Sequence, residues 1–246
     1  MTCRLCDREF PKLAKAHIIP RSFFKAIRGE GKYSILFQAS KKEITQEFKQ
    51  AGIYDTAILC EECEPRFTSF DDHGFRVFTN VFKKPSIYLD YAGNPCALLL
   101  PNVRYDLLKL FVLSLVWRAS VSTLPFFRHV SLGPHENRIR TLIDARDSSD
   151  EQKYSFFCIH PLQQTYPNLI LPPIRRKIGK LNCVQIYLPN LYIVFKADNR
   201  PFVKPFSTLV IRRNPPHYLA FQPYSGSRED KYVGGLKDVV RQHKGS

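Results

Sequence analysis

The chain has 246 residues, 44% hydrophobic and 24% charged, with 37 Lys and Arg against 22 Asp and Glu, a formal net charge of +15. That is an ordinary globular composition, long enough for one large domain or two modest ones. It argues against a membrane protein: the longest apolar stretch, LLKLFVLSLVW (107–117), is broken by Lys109 and Ser114 and is too short to span a bilayer. The opening MTCRLCDREFPK has no long apolar run of the secretory kind. A cytoplasmic protein is expected, whose seven cysteines serve as thiols or metal ligands rather than disulfides.

The charge is unevenly spread. Residues 1–90 carry 15 Lys and Arg against 12 Asp and Glu, and the remainder carries 22 against 10. A cationic surplus in the second part favours a polyanionic partner, most simply nucleic acid, through phosphate contacts and counterion release; plain solubility charge is the blander account.

In chain order, the first ninety residues are rich in Cys, His and acids, with loops expected around Gly29–Gly31 and Ala51–Gly52. Pro65 suits the first turn of a helix starting near Cys63. SIYLDYAGNPCALLL (86–100) predicts two short strands joined by an AGNP turn, and a boundary is placed near residue 90. The length and apolar density of 103–122 predict a buried helix. Over 133–146, Ile139, Leu142 and Ile143 follow an i, i+3, i+4 pattern behind Pro134, predicting an amphipathic helix. From 153 onward YSFFCIH, VQIYLPN, LYIVFKA and TLVIRR are rich in β-branched and aromatic residues and predict strands. LPPIRRK and RNPPHY are expected as turns, and GGLKDVV near the end as a short helix. The expected class is α+β: an N-terminal unit (1–90), then helices with a mainly antiparallel sheet (91–246). Cys96, Cys158 and Cys183 stand alone in apolar contexts and are expected as small core residues.

CRLC (3–6) and CEEC (60–63) each have the Cys-x-x-Cys spacing that lets two thiolates reach one ion. Together they supply four sulfurs, the closed tetrahedral set of a structural Zn²⁺, so Cys3, Cys6, Cys60 and Cys63 are the expected ligands. Between the pairs lies KAHIIPRSFF (15–24), whose lone His17 would by itself read as a packed structural histidine. Arg21 and Lys25 follow and could position a phosphate. Further on, Arg175, Arg176, Lys177, Lys180, Arg212 and Arg213 are the other candidates for nucleic-acid contacts, with solvated surface as the alternative.

The order CxxC, then AHIIP (16–20), then DTAILCEECE (55–64) resembles the HNH (His-Me finger, ββα-metal) endonucleases, in their zinc-bearing branch. The longer run AHIIPRSFF…ILCEECE…FDDHG also resembles a group of bacterial HNH-like proteins. The resemblance covers residues 3–75, about a third of the chain. It implies a zinc-bound, treble-clef-like ββα-metal unit in which His17 sits on a hairpin strand and acts as general base. It also implies a catalytic divalent ion, Mg²⁺, Mn²⁺ or Ni²⁺, stabilising the charge on the scissile phosphate. The chain departs from the family pattern in three places. Ala16 replaces the acid before the histidine, Asp55 stands at the Asn position, and Glu64 stands where a His follows the last cysteine. Asp55 and Glu64 remain metal-competent, and Asp71, Asp72 and His73 on the following helix are further ligand candidates. The implied partner is double-stranded DNA, with a second copy of the chain or an activating protein also compatible, and defence against foreign DNA is a common setting for such nucleases. The competing expectation is a non-catalytic zinc module that binds nucleic acid, favoured by Ala16; a protein-binding scaffold using the aromatic-rich second half ranks third.

Overall fold

The structure is a computed structural model that describes residues 1–28, 34–39, 44–49, 52–90, 92–162 and 170–223. It is mixed α+β, with four α-helices and a seven-stranded, mainly antiparallel sheet among the described residues. The first region holds β1 (Ala16–His17), α1 (Arg21–Arg28), β2 (Ser34–Ala39), β3 (Ile44–Lys49) and β4 (Tyr54–Asp55). β1 pairs with β4 and β2 with β3, both antiparallel. A 3₁₀ turn (Glu64–Phe67) with Pro65 in its first positions leads into α2 (Thr68–Lys83), as the sequence predicts. Of the two expected loops, Gly29–Gly31 and Ala51 lie outside the described residues, as does the predicted C-terminal helix.

The sheet follows. β5 (Ile87–Leu89) and β6 (Pro95–Leu99) form the predicted pair around the AGNP segment, with Asp90 accepting the backbone N–H groups of Ala92 and Asn94. After α3 (Tyr105–Val121) and α4 (His135–Asp144) come β7 (Phe156–Leu162), β8 (Ile174–Ile178), β9 (Leu181–Leu188), β10 (Leu191–Lys196) and β11 (Tyr218–Pro223). The order across the sheet is β5-β6-β11-β7-β10-β9-β8, and only β11–β7 is parallel. Two expectations change. TLVIRR is not a strand; it follows a 3₁₀ turn (Phe206–Thr208). LPPIRRK, expected as a turn, supplies β8, and RNPPHY leads into β11. Prolines at the front of these segments end before pairing begins, so edge strand β8 loses no ladder bond to them.

β10 is buried along its whole length because both sheet faces are covered. Leu191, Ile193 and Phe195 point into the main core, while Tyr192 and Val194 point into a smaller cluster with Phe157, Tyr187 and Phe202. The main core runs without a break from Cys3 through α2 and α3 to Leu219. The boundary expected near residue 90 therefore does not divide the hydrophobic core.

α3 is the centre of that core. It has no polar face, since almost every position from Leu108 to Ala119 is buried. Its two cations are satisfied: Lys109 donates to the Asp150 carbonyl, and Arg118 meets the hairpin region described below. α2 crosses it at close range at Gly74, where an added Cβ would lie 2.4 Å from the Phe111 ring. The glycine of FDDHG is thus a packing residue that lets two helices approach.

Candidate metal centre and nucleic-acid interface

The two cysteine pairs converge. The sulfurs of Cys3, Cys6, Cys60 and Cys63 all lie within 4.8 Å of one another, and Cys6 Sγ and Cys60 Sγ are 4.0 Å apart. A tetrahedral Zn²⁺ with Zn–S bonds of about 2.3 Å needs sulfurs about 3.8 Å apart, so the set fits such an ion. The backbone builds both knuckles. Asp7, in the left-handed region at φ 56°, donates to the Cys3 carbonyl, and Cys3 donates to Arg8. Cys63 and Glu64 both donate to the Cys60 carbonyl, and the Cys60 N–H points at Cys3 Sγ at 3.4 Å.

Burial raises the pKa of Cys3 and, further, of Cys63. Burial also pushes Cys6 up, but the Arg8 guanidinium and hydrogen bonds from Cys3 and Cys63 outweigh it and hold that thiol at about 6. Four thiolates around one Zn²⁺ leave a net charge of −2, and two arginines answer it: Arg8 beside Cys6, and Arg66, whose pKa is raised by Asp144 and then by Cys63. Arg66 also donates to the Asp144 carboxylate (2.7 Å) and carbonyl (2.8 Å), fixing the C-terminal turn of α4. Arg4–Glu136 (3.2 Å) and Arg140–Asp7 complete a clamp between α4 and the cysteine cluster.

His17 lies half-buried on β1 opposite Tyr54, ring centroids 6.1 Å apart, with Ala16, Ile18, Ile19 and Pro20 buried around it. Two of the acids expected to serve a catalytic ion, Asp55 and Asp71, have other work. Asp55, 2% exposed, accepts from the N–H groups of Ala57 (2.9 Å) and Thr123 (2.7 Å) and from the hydroxyls of Ser122 (2.9 Å) and Thr123 (3.0 Å). It ties β4 to the end of α3. Asp71 is held bidentately by Arg118, at 2.6 and 2.9 Å, and Arg118 Nη1 also donates to the His17 carbonyl at 2.7 Å. Burial pushes the Asp71 carboxyl up, Arg118 opposes this, and Glu64 and Asp72 add to the rise. His73 is buried; its Nε2 accepts the Arg104 N–H at 3.1 Å at the start of α3, which leaves the proton on Nδ1. Burial, then Arg76 and Arg104, push its pKa down and keep it neutral. Glu64 is half-buried on the 3₁₀ turn, and Asp72 is exposed.

Among the described residues, the four cysteines are the one group of three or more metal-capable side chains whose ligand atoms converge. His17 belongs to no such group among the described residues. No family model, no curated protein and no solved structure matches the chain. Among the described residues no helix is long and apolar enough to cross a membrane.

The basic candidates are dispersed. Arg21 and Lys25 are exposed on α1. Arg175 and Lys177 are exposed and share one face of β8, whereas Arg176 is on the other face, donating to Gln185 at 2.9 Å. Lys180 is exposed in the β8–β9 turn. Arg212 is exposed, and Arg213 is neutralised by Asp106 (2.8 Å) and lies over the Tyr105 ring. Sequence reasoning missed Arg118, Ser122 and Thr123. The available signal was an arginine placed directly after an apolar helical run: a buried cation demands a partner.

Proposed function

We propose that the chain is a zinc-organised, HNH-type module of ββα-metal, treble-clef-like plan that binds DNA without a catalytic divalent ion. The observation that carries this reading is the arrangement between the cysteine pairs. β1 and β4 pair with Ala16 opposite Asp55 and His17 opposite Tyr54, and the helical segment begins directly after Cys63. Zinc, when bound by the four cysteines, supplies the cross-link that holds hairpin and helix together. The binding side of the proposal rests on the loss of ligand capacity. Ala16 is fully buried and apolar, and Asp55, Asp71 and His73 each spend their lone pairs on protein donors. The cationic surplus supplies affinity through phosphate contacts.

A second reading, a metal-dependent endonuclease with His17 as general base, is favoured by one observation. His17 is held half-buried on a strand with buried neighbours, and Glu64 keeps a carboxylate at the head of the helix. One experiment separates the two, run on the full chain because the core is continuous. Purified protein is mixed with supercoiled plasmid and Mg²⁺, Mn²⁺ or Ni²⁺, and binding and nicking are read in parallel, wild type beside His17→Ala. Salt-sensitive binding without nicking is expected. Nicking that disappears in His17→Ala while binding persists establishes the endonuclease instead.

A further inference from the structure

Two of the cavities in the molecule are of similar size and opposite character. One, about 450 Å³ beside the first knuckle, is lined by Arg4, Asp7, Glu136 and Arg140, whose charges are already paired as Arg4–Glu136 and Arg140–Asp7. The other, about 460 Å³, lies between edge strand β8 and the loop entering α4, Ser131–His135. Arg175, Arg176 and Lys177 line it, together with His135 and Asn182, and no Asp or Glu does. Arg175 and Lys177 stand on the same face of β8 and are exposed, and neither forms an ion pair among the described residues. Strand pairing sets them opposite Val184 and Asn182 of β9, so the hairpin itself fixes their spacing.

Two cations, Arg175 and Lys177, side by side on a concave site lined by no acid create a focused positive potential, and the ligand that answers it is an anion. The guanidinium of Arg175 offers a planar fork suited to phosphate oxygens, and Lys177 adds a point charge beside it. His135 completes the wall. The Tyr154 hydroxyl holds its Nδ1 at 3.1 Å, which turns the other ring nitrogen into the one free to meet a ligand. We infer that the cavity between β8 and the α4 entry loop is a phosphate-binding site, built by Arg175, Lys177 and His135, that seats a phosphate of a DNA strand. The choice of DNA rests on the function proposed above, while the phosphate chemistry rests on the cavity alone; a free nucleotide would bring the same group. The inference also separates the basic candidates: Arg176 turns to the other face of β8 and donates to Gln185, and Arg213 is paired with Asp106, so neither guanidinium serves the site.

The test uses the full chain with its zinc. Fluorescence anisotropy follows binding of a short duplex and of its single strand across a salt series, and calorimetry follows adenosine monophosphate and inorganic phosphate. Wild type is compared with Arg175→Ala/Lys177→Ala and with Lys153→Ala, an exposed lysine outside the cavity. The double variant should keep its zinc and its melting temperature, lose about tenfold in DNA affinity, and lower the salt slope by about 1, the value of one phosphate contact. Lys153→Ala should do neither. If wild type binds DNA and the double variant binds it equally, the site is overturned while the DNA reading stands. If wild type binds neither DNA form but binds the mononucleotide or phosphate through Arg175 and Lys177, the cavity stands and the DNA reading falls. Binding of none of the four probes overturns both.

Discussion

The first ninety residues contain two gatherings of metal-capable side chains, and the fold treats them in opposite ways. The four cysteine sulfurs converge within 4.8 Å of one another. Around His17 the acids and the second histidine turn toward protein donors: Asp55 to Ser122 and Thr123, Asp71 to Arg118, His73 to the Arg104 N–H. What differs is the neighbour. The knuckles are turns closed by their own backbone, and the donors that reach the sulfurs, the Cys60 N–H and Arg8, come from the knuckles themselves. The hairpin and α2 instead lie against α3, and α3 brings its own donors, so carboxylates that could hold an ion become the attachment points of the two halves. Metal capacity is therefore a property of what packs against a side chain, as much as of the side chain.

The largest effect should come from the cysteines. Cys60→Ser should abolish stoichiometric zinc and unfold at least the first region. Structural zinc in small sites contributes on the order of 10 kcal/mol, comparable with the whole stability of a domain. Metal analysis of freshly purified protein with a circular-dichroism melt reads this directly, and zinc-free, folded wild type would break the comparison at its firm end.

Next is the ion pair beneath the hairpin. Arg118→Met leaves the half-buried Asp71 without its cation and the His17 carbonyl without its donor, and should cost about 3 kcal/mol in urea unfolding. Adding Asp71→Asn should recover a large part of that loss, because the stranded charge is gone. A loss below 1 kcal/mol (about the value of an exposed pair) would show that the tie is incidental.

Asp55→Ala should cost about 2–3 kcal/mol by leaving the Thr123 N–H and two hydroxyls without their acceptor. This is the sharpest test of the comparison, because the alternative role predicts something else. If Asp55 is a metal ligand, added Mg²⁺ or Mn²⁺ should restore the variant's behaviour; as an attachment point, the variant should melt early at every divalent-ion concentration.

The smallest effect is a pH dependence. Burial lowers the pKa of His73 and of His135 below the ordinary histidine value. The unfolded chain therefore binds more protons just below about 6.5. The stability these groups contribute is complete above that pH and falls as the solution is acidified through the unfolded pKa toward the folded one. His73→Gln, which keeps an acceptor for the Arg104 N–H, should flatten the decline between neutral and mildly acidic pH. An unchanged acid slope would show that His73 is not held neutral.

Much of this was readable along the chain because it is local. Cysteine spacing at 3–6 and 60–63 limits where four sulfurs can go, and the knuckle turns need only their own backbone. The apolar density of 107–117 marks a buried helix despite Lys109 and Ser114, and the β-branched and aromatic runs of β9 and β10 mark paired strands. Long-range relations were not readable. Proline-led LPPIRRK resembles a turn until β9 is beside it, and TLVIRR resembles a strand although the sheet has no place for it. The roles of Asp55, Asp71 and His73 depended on α3 and its two ends, 31 to 68 residues away in sequence and in no register that periodicity reports. Sequence by itself determined the cysteine cluster, the fold class and the cationic surplus, since each follows from spacing, pattern or count. Only tertiary structure decided which acids stay available to an ion and which cations stay available to a phosphate, because that depends on which opposite charge or donor the packing of α3, α4 and the sheet brings within hydrogen-bond reach.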